Sequence, residues 1–111
     1  FSSFGVMGGF QQPQGHLQVI SNIVDYGLGA QEALDALRFS LDVDDMKTIS
    51  LEEDLDSSIV KDLESKGHLV EVVKGNERIK FGGAQIALYN SKTGVISLGT
   101  EPRKDGSALA Y

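Results

Sequence analysis

Phe4-Gly5-Val6-Met7-Gly8-Gly9-Phe10-Gln11-Gln12-Pro13-Gln14-Gly15-His16 is the stretch on which the fold turns. Ser3 to Met7 reads as the end of a buried strand. Gly8-Gly9 break it, and Pro13 suits the first position of a helix, where its missing N–H costs nothing. Leu17, Ile20, Ile23 and Val24 then recur at helical spacing, Val19 widens the apolar face, and Gly27 stops the helix. Strand, Gly-Gly turn and helix start together expose backbone N–H groups where negative charge is stabilised. A strand-ending turn that needs positive φ is the plainer reading of the same two glycines.

Outward from this stretch, a second helix is expected over 30–36, with Ala33, Leu34 and Leu37 on its buried side. Phe39-Ser40-Leu41 and Lys47 to Leu51 suit short strands. Asp56 is a good N-cap for a helix over 57–65, with Ile59, Val60 and Leu63 facing the core and Gly67 ending it. His68 to Val73 is strand-like by β-branched content, and 74–77 is a turn. Gln85 to Tyr89 and Val95 to Leu98 flank a five-residue hairpin loop ending in Gly94. The tail from Gly99 is irregular. The pattern predicts an α+β fold, helices laid on a mostly antiparallel sheet, with one domain or fragment spanning 1–111.

The 111 residues carry a net charge of -6. Asp42, Asp44, Asp45, Glu52, Glu53, Asp54 and Asp56, against Lys47 alone, account for that imbalance, and they read as a solvated acidic face. Such a face repels phosphate backbones, so nucleic-acid binding is disfavoured. The run lacks the glycine and terminal Glu spacing of an EF-hand. The absence of Cys excludes a disulfide scaffold and a thiol nucleophile. The apolar runs are too short for a membrane-spanning helix. A chain beginning at Phe1 is expected to be processed or cut from something longer, so cytoplasmic and exported locations both stay open.

The glycines fit neither a P-loop nor a dinucleotide fingerprint, since the Gly-Lys-Ser/Thr ending and the G-x-G-x-x-G spacing are absent. His16, in the first helical turn, has no nucleophile at a recognisable elbow to serve, and a structural role is expected. His68 is expected to be solvated, and two His so far apart give no zinc spacing. Glu101-Pro102-Arg103-Lys104-Asp105-Gly106 reads as a polar turn. Its Arg103 can pair bidentately with a carboxylate and hold the fold together.

Three segments in register resemble one family, the γ-glutamyltransferases (γ-glutamyltranspeptidases). Val6-Met7-Gly8-Gly9 with Gln12-Pro13-Gln14-Gly15-His16 resembles their Gly-Gly and helix segment. Asp25-Tyr26-Gly27, then Glu32-Ala33-Leu34-Asp35-Ala36 and Arg38-Phe39, resembles their "DYG…EA…DAPRF" stretch. Glu101-Pro102-Arg103-Lys104-Asp105-Gly106-Ser107-Ala108-Leu109-Ala110-Tyr111 resembles their closing "DPRxDGxAxGY". Leu37 stands for the usual Pro, Glu101 for Asp, and Ala110 for the penultimate Gly.

The resemblance implies part of an N-terminal-nucleophile hydrolase, an αββα sandwich, matching the C-terminal part of the small subunit of a self-cleaving precursor. It implies γ-glutamyl substrates such as glutathione, attacked by a Thr upstream of this segment, with release to water or to an amino-acid or peptide acceptor. Carried over residue by residue, Gly8 and Gly9 occupy the oxyanion-hole positions. No cofactor or metal is implied. The implied partners are the large subunit and the N-terminal part of the small subunit, and the 111 residues alone are expected to be inactive. Two alternatives accompany this reading: a non-catalytic remnant or interaction module, and a related amide acylase, for instance one acting on glutaryl side chains.

Overall fold

A computed structural model describes residues 1–109, and Ala110 and Tyr111, the close of the last family-like segment, lie outside the described residues. Strand β1 (Ser2–Met7) runs through a 3-10 turn at Gly9–Gln11 into helix α1 (Gln12–Val24). Helix α2 (Ala30–Asp35), strands β2 (Phe39–Leu41) and β3 (Thr48–Glu52), helix α3 (Ser57–Ser65) and strand β4 (Leu69–Val73) follow. A 3-10 segment, Gly75–Phe81, continues past the expected four-residue turn, and strands β5 (Gly83–Tyr89) and β6 (Ile96–Thr100) close the order.

The strands divide between two three-stranded sheets, β1-β5-β6 and β2-β3-β4. The fold is α+β, and every strand pairing is antiparallel except β3 with β4. That exception has a simple cause. The connection from β3 to β4 contains α3, long enough to return the chain in the same direction, whereas the short connections of β2 to β3 and of β5 to β6 reverse it. The β5–β6 hairpin closes as its sequence suggests, with the Gly94 N–H on the Asn90 carbonyl at 2.8 Å and the Lys92 N–H on Asn90 Oδ1 at 3.0 Å.

The core lies between the first sheet and the first two helices. Val6, Val19, Ala30, Leu34, Ala84 and Ile86 are buried together, and Phe4, Ile23 and Leu88 pack against them. The helix comes very close to the strand: a Cβ on Gly15 would sit 2.7 Å from Val6 Cγ1. Along α1, however, only part of the apolar stripe read from the sequence is covered, by Val19 and Ile23. Val19 and Gly15 are buried, while Leu17 and Val24 are 63% and 72% exposed. Helix α3 likewise buries none of Ile59, Val60 or Leu63 completely, although Asp56 caps it through the Ser58 N–H at 2.8 Å. Helical periodicity finds an apolar face but not the surface that faces it. The Cα radius of gyration is 15.1 Å, against roughly 13 Å for a compact domain of this length.

Three glutamines of the α1 region do what no apolar pattern announces. Gln14 donates to the Leu41 carbonyl and accepts from its N–H, and Gln18 does the same for Phe39, all within 2.8–3.0 Å. Gln11 adds a bond to the Phe39 carbonyl at 3.1 Å. Their spacing places all three on one helical side. They cover the free edge of β2 as a neighbouring strand would, tying the second sheet to the helix that rests on the first.

Candidate active site

Gly8 and Gly9 sit where β1 gives way to α1. Gly8 has φ 145° and Gly9 has φ 58°, both in the region that favours glycine. The Gln11 N–H closes the turn on the Gly8 carbonyl at 3.1 Å. Gly8 also meets another glycine: its Cβ would lie 3.1 Å from Gly82 Cα. A Cβ on Gly82 would in turn strike the Met7 carbonyl oxygen at 2.5 Å. Gly9 faces open space, with nothing within 4 Å of its would-be Cβ. Among the described residues, neither the Gly8 nor the Gly9 N–H donates to a loop carbonyl or a side chain. The first turn of α1 carries no acid to oppose an anion there.

His16 has the structural role expected of it. Its Nδ1 lies 2.7 Å from the Gln12 carbonyl and its Nε2 accepts from the Val6 N–H at 3.3 Å, so an Nδ1–H imidazole satisfies both. Its ring also packs on Phe4, with centroids 5.5 Å apart. His68 is half-buried rather than solvated, its Nδ1 3.2 Å from the Lys47 carbonyl.

A buried ion cluster behind the turn is the feature that sequence reasoning largely missed. Glu52 was expected on a solvated acidic face, yet it is 1% exposed. Its carboxylate takes Arg103 Nε at 2.7 Å and Arg103 Nη2, Arg78 Nε at 2.7 Å, and the Arg38 N–H at 2.7 Å. Glu101 takes Arg103 Nη1 at 2.7 Å, Arg38 Nη1 at 2.9 Å and the Ala84 N–H at 2.8 Å. Arg103 reaches further, to the carbonyls of Leu34 and Ala36, both at 2.9 Å. The cluster therefore joins α2, both sheets and the tail. The pairing of Arg103 with a carboxylate was legible, but its partners, 51 residues away and two residues away, were not.

The charges respond to this geometry. Burial would raise the Glu52 carboxyl, but bonds from Arg103, the Arg38 N–H and Arg78 outweigh it and hold the group below the usual range. Burial also works against charge on Arg103, and Glu52 and Glu101 overcome it, lifting that guanidinium above its ordinary value. Arg38 goes the other way. Burial prevails over Glu101, and its Nε and Nη2 have no partner among the described residues.

The rest of the acidic run is polar turn chemistry. Asp42 Oδ1 accepts from the Asp44 and Asp45 N–H groups, and Asp45 from those of Lys47 and Thr48 and from the Thr48 hydroxyl. Bonds from Thr48 lead the causes that pull the Asp45 carboxyl down. Among the described residues no group of three or more His, Cys, Asp or Glu side chains is arranged to hold a metal ion. No helix among them is long and apolar enough to cross a membrane.

Two helices on the first sheet, with the glycine turn at the sheet's end, form an α+β fold that gamma-glutamyltranspeptidase structures share. A structure titled gamma-glutamyltranspeptidase from Pseudomonas nitroreducens complexed with L-DON matches it with a TM-score of 0.82 at 22% identity, over 99% of this chain and 55% of that one. The chain belongs to the gamma-glutamyltranspeptidase family, whose sequence model matches residues 1–111. It is 28% identical to the glutathione hydrolase-like YwrD proenzyme of Bacillus subtilis, over 96% of this chain and 20% of that protein. A cephalosporin acylase from Bacillus halodurans is 44% identical with a TM-score of 0.89, over 97% of this chain and 19% of that one. The chain thus spans about a fifth of the length of these two relatives.

Proposed function

We propose that this chain is the C-terminal part of the small subunit of a γ-glutamyltransferase-like amide hydrolase, in which the Gly8 and Gly9 N–H groups form the oxyanion hole. The observation that carries the reading is the glycine turn itself. Among the described residues, two consecutive N–H groups at a helix start have no loop-carbonyl or side-chain acceptor, and the backbone that presents them is one that other residues resist. A Thr upstream of this segment attacks the γ-glutamyl carbonyl of a glutathione-like substrate. The carbonyl oxygen becomes an oxyanion, and donors already in place at about 2.7–3.1 Å stabilise it without reorganising. Collapse of this intermediate leaves an acyl-enzyme on the Thr, which water or an amino-acid or peptide acceptor then releases. The large subunit and the earlier part of the small subunit cover the apolar side chains left exposed here, among them Phe10, Leu17, Val24 and Tyr26.

The test is hydrolysis of γ-glutamyl-p-nitroanilide by the complete protein. Gly9→Val keeps the N–H but resists the φ of 58° that aims it, and is expected to lower kcat by up to roughly 10²–10³, the loss of one donor, while the protein stays folded. Unchanged turnover removes the oxyanion role. The resemblance to a cephalosporin acylase supports a second reading, hydrolysis of another acyl amide by the same site. Parallel assays with the γ-glutamyl anilide and with an acylated cephalosporin separate the two by their kcat/KM ratio.

A further inference from the structure

We propose that Gln11 is a positioning residue for the oxyanion donors, setting the Gly8–Gly9 turn from behind, an assignment that rests on the oxyanion reading of those glycines. Glycine loses more conformational freedom on folding than any other residue, so a pair of them needs something to hold it. A side-chain cap is the usual device at a helix start, and neither the 3-10 turn nor α1 has one. Gln11 takes its place in three ways. Its N–H closes the turn on the Gly8 carbonyl at 3.1 Å. Its Cβ is the side-chain atom nearest Gly8, 3.4 Å from where a Gly8 Cβ would sit. Its Nε2 donates to the Phe39 carbonyl at 3.1 Å, across 28 residues of sequence. Phe39 begins β2, and Arg38 before it donates its N–H to the buried Glu52 carboxylate at 2.7 Å. One side chain thereby ties the turn to the strand that the ion cluster anchors.

The Gln11 amide fills its place at some loss of stability. The residue is 5% exposed, and its buried Oε1 has no partner among the described residues. A buried acceptor without a donor is destabilising, and an apolar side chain of the same length would avoid that penalty. Stability alone therefore does not account for a glutamine here. Gln14 and Gln18 make the contrast. Each uses both ends of its amide on β2, and neither is among the atoms nearest Gly8. Gln11 uses one end, from the residue that closes the turn. A side chain that stabilises poorly and positions well suits a donor site, because preorganised donors must not shift as charge develops.

The experiment uses the complete protein with Gln11→Met, which keeps the length of the side chain and loses the amide. Gln18→Ala stands beside it, removing bonds to Phe39 from a residue that does not close the turn. kcat and KM are measured on γ-glutamyl-p-nitroanilide, and stability by denaturant unfolding. Gln11→Met is expected to lower kcat roughly tenfold, the worth of about one hydrogen bond, with KM within about twofold and the unfolding midpoint unchanged or raised. Gln18→Ala is expected to do the reverse, lowering the midpoint and leaving kcat within about twofold. An unchanged kcat in Gln11→Met, or one that falls only in step with a lowered midpoint, overturns the assignment. An equal loss of kcat in Gln18→Ala does so too. The oxyanion reading fails separately, through unchanged turnover in Gly9→Val, which leaves Gln11 intact.

Discussion

The Gly8–Gly9 turn and the Arg103 cluster are both dense in polar groups and use them in opposite ways. In the cluster, two carboxylates are closed off from water and each accepts three or more donors. At the turn, two N–H groups have no loop-carbonyl or side-chain acceptor among the described residues. A buried cluster whose two carboxylates are saturated with donors holds elements together but leaves those carboxylates little capacity for a ligand. An open pair of donors does little for stability and is available to a developing charge. The lesson is a division of labour: Arg103 ties the tail to both carboxylates, while the glycine turn keeps its backbone donors out of such bonding among the described residues.

The largest effect is expected at the cluster. Arg103→Ala in the complete protein leaves Glu52 and Glu101 buried without their main partner and is expected to cost about 3–5 kcal/mol of stability, read by denaturant unfolding. Arg103→Lys is expected to rescue little, since an ammonium cannot reproduce the forked bonds. A melt unchanged in both variants would contradict the holding role. At the turn the loss moves from stability to rate. Gly9→Val is expected to reduce kcat by the factor given above, while the strain of its positive φ costs only about 1–2 kcal/mol of folding energy.

Acid sharpens the contrast. The folded Glu52 carboxyl titrates below its ordinary value, so its contribution is fully present above the unfolded carboxyl pKa, about 4.3. That contribution is lost as pH falls through the lowered folded value. Acid-unfolding curves should show a shallower pH dependence in Glu52→Gln than in the parent. An equal slope would remove Glu52 from the acid transition. A smaller effect is expected at the glutamine edge. Gln18→Ala removes two of the three side-chain bonds to Phe39, leaving that of Gln11, and is expected to cost about 1–2 kcal/mol, with faster amide exchange at Phe39. Smallest of all, Lys66→Ala breaks an i,i+4 pair that is 61% exposed on both sides, and a change below about 0.5 kcal/mol is expected in the melt.

What the sequence made legible was local. Gly8, Gly9 and Pro13 announce a strand-to-helix turn because positive φ and a missing N–H are properties of single residues. Asp56 announced its cap for the same reason. Long-range pairing was not legible. Glu52 looks like one more acid in an acidic run, and only the return of residue 103 shows it to be buried. Leu17 and Val24 look like core because they are apolar at helical spacing, but the described chain has no surface opposite them. Gln11, Gln14 and Gln18 carry no signal in the apolar pattern, yet they satisfy the edge of β2. Lys104 was visible only as part of a polar turn, since its place beside Met7 depends on a cross-chain approach 97 residues apart in sequence.

The reach of Arg103 also sets an order of events during synthesis. At roughly 5–20 residues per second, the 51 residues between Glu52 and Arg103 take roughly 3–10 s to add. Through that interval α2, β2 and β3 can form locally, and the Arg38 N–H and then Arg78 can reach Glu52, but the forked partner Arg103 is still missing. The cluster that joins both sheets is therefore completed only when almost the last of these residues has been made.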